Sequence, residues 1–222
     1  MSSTSSVPPD ALLLLTSRCP HCPTVLQGLS GLVKSGKIGR LEVINIEAHP
    51  EIAEQYGARS VPWIRIGQFE LEGLHSPAEL ATWVQRAGSP HGVADYFSNL
   101  LKDGQLDKAI HVIQRKPEQL DALLQLAGNP DTDLTVRIGI SAVLEDLAGE
   151  ALLRKKLPAL LELSRHDDPR VRADACHFLM LTGLPQVVER LQAMTQDEDR
   201  SVRNVADDAL EELRELLGDG TP

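Results

Sequence analysis

The stretch ALLLLTSRCPHCPTVLQGL, residues 11–29, decides the reading of the first half of the chain. Residues 11–16 read as a buried strand, built on the short, continuous apolar run of residues 11–15. Cys19 and Cys22 follow, and a helical pattern occupies residues 20–33. Pro20 suits the first helical position, which predicts Cys19 at the N-cap. A sulfur there accepts backbone N–H bonds from the open helix end, including that of Cys22, and the partial positive charge favours thiolate over thiol. Arg18 and His21 add positive charge, and His21 is expected to tune the dithiol electrostatically. Cys22, one turn inside, is expected to be the more buried. Two cysteines so spaced divide the labour of thiol–disulfide exchange, Cys19 attacking as nucleophile and Cys22 resolving the mixed disulfide. A lone CxxC is also half of a zinc site, but no second CxxC accompanies it, and no metal is expected.

Working outward, residues 41–47 (LEVINIE) alternate as a strand rich in β-branched side chains. Residues 50–56 read as a short helix stopped by Gly57. Residues 63–66 and 69–72 flank Gly67-Gln68, a tight hairpin. Ser76-Pro77-Ala78-Glu79 has capping-box spacing and opens a last helix through Trp83. The order is βαβαββα, an α/β arrangement. Residues 86–92 (RAGSPHG) read as a linker.

Beyond the linker every segment reads as helix, and the pattern repeats. Val136-Arg137, Val171-Arg172 and Val202-Arg203 recur at intervals of 35 and 31 residues. Three positions before each Val stands an Asp (Asp133, Asp168, Asp199), where an N-cap belongs. Four and eight positions after it come Ile140, Ala175 or Ala206, then Leu144, Leu179 or Leu210, which lie on one helical face. Further helices are expected around 120–126, 152–163 and 187–194. The unit is a helical hairpin of an α-solenoid. The three arginines are expected to pair with the repeat aspartates, and Cys176 to be a buried structural thiol. The expected organisation is a flexible N-terminus at 1–9, a redox domain at 10–88, a linker at 89–92, helical repeats at 93–217 and a tail at 218–222.

Across all 222 residues 42% are hydrophobic and only 3% aromatic, which suits helices with modest side chains. The net charge of −10 argues against nucleic acid or an anionic membrane as partner. It is unevenly shared: residues 1–88 hold 7 Lys and Arg against 8 Asp and Glu, the remainder 15 against 24. The Ser- and Pro-rich residues 1–10 hold no Lys or Arg, and the apolar run after them is too short for a signal-peptide core, so a cytoplasmic address is expected. Three cysteines then point to chemistry rather than a disulfide framework.

With Cys19-Pro20-His21-Cys22, Val61-Pro62, the Gly67 hairpin and Gly73 in place, residues 10–88 resemble the thioredoxin superfamily, closest to glutaredoxin-like domains of protein disulfide oxidoreductases. Asp-x-x-Val-Arg at the second helix of each repeat resembles the HEAT-like family over residues 117–217. The first resemblance implies that Val61-Pro62 is the superfamily's cis-proline, with Val61 backbone groups beside Cys19 to pair with an extended substrate. It implies a redox-active disulfide between Cys19 and Cys22 and no cofactor beyond the dithiol. The acid that thioredoxins bury before the active site falls at Leu13, so proton transfer to Cys22 needs another route. The combined expectation is a thiol–disulfide oxidoreductase acting on protein disulfides, supplied by an external reductase or thiol, with the repeats docking the protein partner. The alternative is a redox-linked chaperone or scaffold whose main task is client binding.

Overall fold

The computed structural model describes residues 8–89 and 91–218. The expectations for a flexible N-terminus and a tail fall, for residues 1–7 and 219–222, outside the described residues, as does Pro90 of the expected linker. The chain divides into two compact units, Met1–Tyr96 and Phe97–Pro222.

In the first unit the strands are β1 (Ala11–Leu15), β2 (Leu41–Asn45), β3 (Trp63–Ile66) and β4 (Phe69–Glu72), and the helices α1 (Cys22–Lys34), α2 (Pro50–Tyr56) and α3 (Pro77–Ala87). The sheet order is β2-β1-β3-β4. β1 runs parallel to β2 and antiparallel to β3, which turns antiparallel into β4. β1 is interior and covered on both faces, which is why it reads as unbroken leucine rather than alternation. Leu12 and Leu14 pack with Trp63 beneath Ile44, Ile46, Ile52 and Tyr56, so Trp63 is a core residue. Leu13 lies on the opposite face by strand alternation and is fully buried. α1 and α3 approach closely at Gly28, where an added Cβ would lie 2.9 Å from Leu80 Cδ1.

The local stops behave as their chemistry requires. Gly57 closes α2 at φ 65°, and Gly67 takes φ 57° in the two-residue turn that sets Ile66 opposite Phe69. Ser76 and Glu79 form both bonds of the capping box on α3. The unit also takes in residues past 88, because Tyr96 packs on Phe69 and Trp83 and its O–H donates to the Glu70 carbonyl at 2.9 Å. Burial raises the Tyr96 pKa well above its ordinary value. Tyr96 lies on α4 (Gly92–Lys102), within which the two units divide.

The second unit continues with α5 (Leu106–Arg115), α6 (Leu120–Ala127), α7 (Leu134–Asp146), α8 (Ala151–Arg154), α9 (Leu157–Leu163), α10 (Pro169–Leu181), α11 (Val188–Met194) and α12 (Arg200–Leu217). Asp133, Asp168 and Asp199 cap α7, α10 and α12, each accepting the N–H two residues on. The single helix expected over 152–163 is instead two, α8 and α9. Pro158 has no N–H to donate one turn back, so the helix breaks ahead of it.

Candidate functional site

β1 ends where its Leu15 stands beside Asn45 of β2, so the loops after both strands meet at one level. They are laced together there. Ser17 donates its N–H to Glu47 Oε2 at 3.1 Å, Asn45 Nδ2 donates to Ser17 Oγ at 3.1 Å, and Glu47 N–H donates to Asn45 Oδ1 at 2.9 Å. The bonds from Ser17 hold the Glu47 carboxyl below its ordinary pKa.

This lattice presents a turn in which the Cys19 N–H reaches the Thr16 carbonyl, followed by the start of α1. Cys19 and Cys22 are joined as a disulfide, with their Cα atoms 5.5 Å apart. The Cys22 N–H points at Cys19 Sγ, 3.2 Å away. Cys19 is half-buried and Cys22 only 3% exposed. The helix does not begin as the sequence suggests: it starts at Cys22 with His21, not Cys19, at the N-cap. The second proline explains the shift. A helix opened at Pro20 would need the N–H of residue 23 for its first bond, and Pro23 has none. Started at Cys22, Pro23 falls among the positions whose N–H is unpaired anyway, and the first bond runs from Val25 N–H to the His21 carbonyl. Cys19 Sγ still accepts an N–H at the helix start, where a sulfur anion is favoured. His21 is exposed and makes no side-chain cap bond.

Trp63 stands opposite Leu14, so Val61 and Pro62 lie level with the end of β1. The Val61–Pro62 peptide is cis, and the Pro62 carbonyl accepts the Gly73 N–H at 2.9 Å. Three features here lay outside the sequence reading: the Ser17–Asn45–Glu47 lattice, the exposed Leu74 after Gly73, and His75. His75 Nε2 is shut off from solvent and has no hydrogen-bond partner among the described residues. Its only sequence signal is a histidine in a Gly-Leu-His-Ser-Pro turn, indistinguishable from an ordinary loop.

Compared with known families, residues 11–85 match the model of the thioredoxin domain and residues 120–211 that of HEAT repeats. The chain joins a thioredoxin-like domain to HEAT repeats. No curated protein matches it significantly. The thioredoxin-like domain is a redox-type domain, and the HEAT repeats are a region for binding. Among the described residues no helix is long and apolar enough to cross a membrane.

Within the HEAT repeats the arginines do not choose the capping aspartates as partners. Arg172 grips Asp197 with a two-bond fork (2.9 and 2.8 Å) and sends Nη1 to the carbonyls of His166 and Asp167. Arg203 repeats the second half of this pattern on the carbonyls of Asp197 and Glu198. Arg137 pairs with Asp174 of the following repeat, but its Nη1 has no partner among the described residues. Burial raises the Asp174 carboxyl despite that guanidinium. Cys176 is fully buried against Met194 Sδ at 3.7 Å, and burial pushes its thiol up to about 12. The outer side of α7 is different: Leu134 and Ile138, one turn apart, are 72% and 62% exposed.

Proposed function

We propose that the protein is a thiol–disulfide oxidoreductase acting on protein disulfides, with the HEAT repeats docking the protein partner. The observation that carries this is the asymmetry of the pair: Cys19 Sγ accepts the helix-start N–H and reaches the surface, while Cys22 is buried behind it. In the reduced protein the Cys19 thiolate attacks one sulfur of a substrate disulfide. A mixed disulfide forms and the first substrate thiolate leaves. Cys22, deprotonated, then attacks Cys19 Sγ and expels the second substrate thiolate. Two electrons pass to the substrate, and the Cys19–Cys22 disulfide remains for an external reductase or thiol to reduce. The same steps in reverse oxidise a dithiol.

His21 adjusts the potential of the pair, and the outward backbone of Val61, beside Pro62, holds an extended substrate segment. A cytoplasmic address belongs to this reading. The test is turnover of a disulfide-bonded polypeptide with a small dithiol as reductant. Wild type should turn over, Cys19→Ser should fall to background, and Cys22→Ser should accumulate the mixed disulfide at Cys19. Equal loss without any trapped adduct would sink the assignment of roles.

The exposed Leu134 and Ile138 favour a second reading, a redox-linked chaperone or scaffold that holds its client on the repeats. Client complexes that persist with both Cys19 and Cys22 replaced by Ser would select it.

A further inference from the structure

The sheet of the thioredoxin-like domain has two outer strands, and they are treated differently. At β4 the Glu70 carbonyl receives the Tyr96 O–H. At β2 no such cover exists among the described residues. The bonds flanking the β1–β2 ladder, Ala11 N–H to the Arg40 carbonyl and Ile46 N–H to the Leu15 carbonyl, fix its phase. In a parallel ladder alternate residues face the neighbour. Residues 40, 42, 44 and 46 therefore spend their backbone groups on β1, and Leu41, Val43 and Asn45 direct theirs outward. The Asn45 carbonyl is used by the Ala48 and His49 N–H groups. The N–H and C=O of Leu41 and Val43 and the N–H of Asn45 have no partner among the described residues. The Val43 side chain is 42% exposed, and an open cleft lined by Val43, Ile44, His49 and Ile52 runs beside the strand. Glu42 is the one charged side chain of this strand, and no proline, lysine or bulge blunts the edge.

We propose that the β2 edge is a dimerisation surface and that its occupant is the β2 strand of a second copy, paired antiparallel about Val43. A two-fold axis through Val43 sets Val43 opposite Val43 of the other copy in a mutually hydrogen-bonded pair, and Leu41 opposite its Asn45. Four N–H···O=C bonds then close, two between the valines and two from Asn45 N–H to Leu41 carbonyls. In this register β-branched Val43 meets its own copy with Leu41 beside Asn45 on that face, Glu42 meets Ile44 on the other, and no like charges oppose. Centring on residue 42 instead would set Glu42 against Glu42, which is unfavourable. The strand is thus complementary to itself about Val43, with only the two Leu41 N–H groups left to water, as a closed two-fold contact demands. Charge permits the encounter, because residues 1–88 carry 7 basic against 8 acidic groups although the whole chain is at −10. This inference does not depend on the redox reading.

Sedimentation of the full chain tests it, with three variants at one position. Wild type should sediment at twice its 24.2 kDa. Val43→Pro deletes an N–H that β1 does not use, and Val43→Asp sets like charges together; both should be monomers with an unchanged circular dichroism spectrum. In a Cys19→Ser, Cys22→Ser background, Val43→Cys should oxidise to a covalent dimer. Residues paired this way have Cα atoms about 5.5 Å apart, within disulfide reach. Leu41→Cys should not cross-link, because the two copies of residue 41 lie four residues out of register. A wild type that is monomeric at all concentrations overturns the proposal. So does a dimer that survives both Val43→Pro and Val43→Asp, or cross-linking at residue 41 as readily as at 43.

Discussion

Cys19 and Cys176 are the same side chain in opposite circumstances, and the contrast separates the two units. Cys19 stands in the turn after the end of an interior strand, half-exposed, its sulfur met by a helix-start N–H. Cys176 is walled into the seam between α10 and α11. The unit around Cys19 gains cohesion from apolar strands and an aromatic cluster of Phe69, Trp83 and Tyr96, and its charges nearly cancel. The unit around Cys176 is bound by a recurring set of charged contacts: an Asp cap at each second helix and an Arg reaching into the next repeat. A thiol is made reactive by leaving it at a helix start within reach of solvent. It is made inert by taking it out of water, where the anion has nothing to stabilise it.

The largest expected effect lies between those thiols. With its pKa pushed up to about 12, Cys176 has at neutral pH roughly one thiolate in 10⁵ molecules, before any steric hindrance. In the reduced protein an alkylating reagent should modify Cys19 within the time that leaves Cys176 untouched until denaturant is added. Fast labelling of Cys176 in the native state, mapped by mass spectrometry, would erase the distinction.

The next prediction sharpens where one unit ends. A chain stopped at residue 88 loses Tyr96 from between Phe69 and Trp83. It should be less stable in denaturant than one stopped at 102, by about 3–5 kcal/mol, the usual cost of removing a buried aromatic. Equal stabilities would confine the unit to residue 88.

On the helical side, Arg172→Met should cost about 3 kcal/mol in denaturant titration, because Asp197 is left without its guanidinium and two carbonyls lose a donor. Arg172→Lys should recover only part of that, since an ammonium cannot reproduce the fork. A lysine variant as stable as wild type would show the contact to be plain charge.

The smallest effects belong to the caps and to pH. Asp199→Ala should cost about 1 kcal/mol. Hydrogen bonds from Arg170, Arg172 and Ser201 hold the carboxyls of Asp168, Asp197 and Asp199 below their ordinary values. Groups depressed in the folded state contribute stability above their unfolded pKa of about 3.9 and lose it as pH falls through the folded value. The thermal midpoint of the repeats should therefore fall as the solution is acidified below about pH 4. Half-buried Asp174, raised rather than lowered, works in the opposite sense and softens the fall.

The amino-acid sequence by itself determined what short-range chemistry controls. The strand before Cys19, the Gly67 turn, the Ser76–Glu79 box and the aspartates capping α7, α10 and α12 are decided within four residues along the chain, so pattern and spacing carry them. The start of α1 was within the same reach, but two prolines competed for it and only the hydrogen-bond accounting at Pro23 separates them. Tertiary structure decided whatever depends on distant residues meeting. Tyr96 reads as one helical residue among many until it is found against Glu70. Arg137 and Arg172 choose Asp174 and Asp197, one repeat on, over capping aspartates four residues away. Ser17 meets Asn45 and Glu47 only because β1 and β2 end at the same level. The open edge of β2 is likewise a property of strand order and ladder phase, because the residues LEVIN are the same whether the strand lies inside a sheet or at its margin.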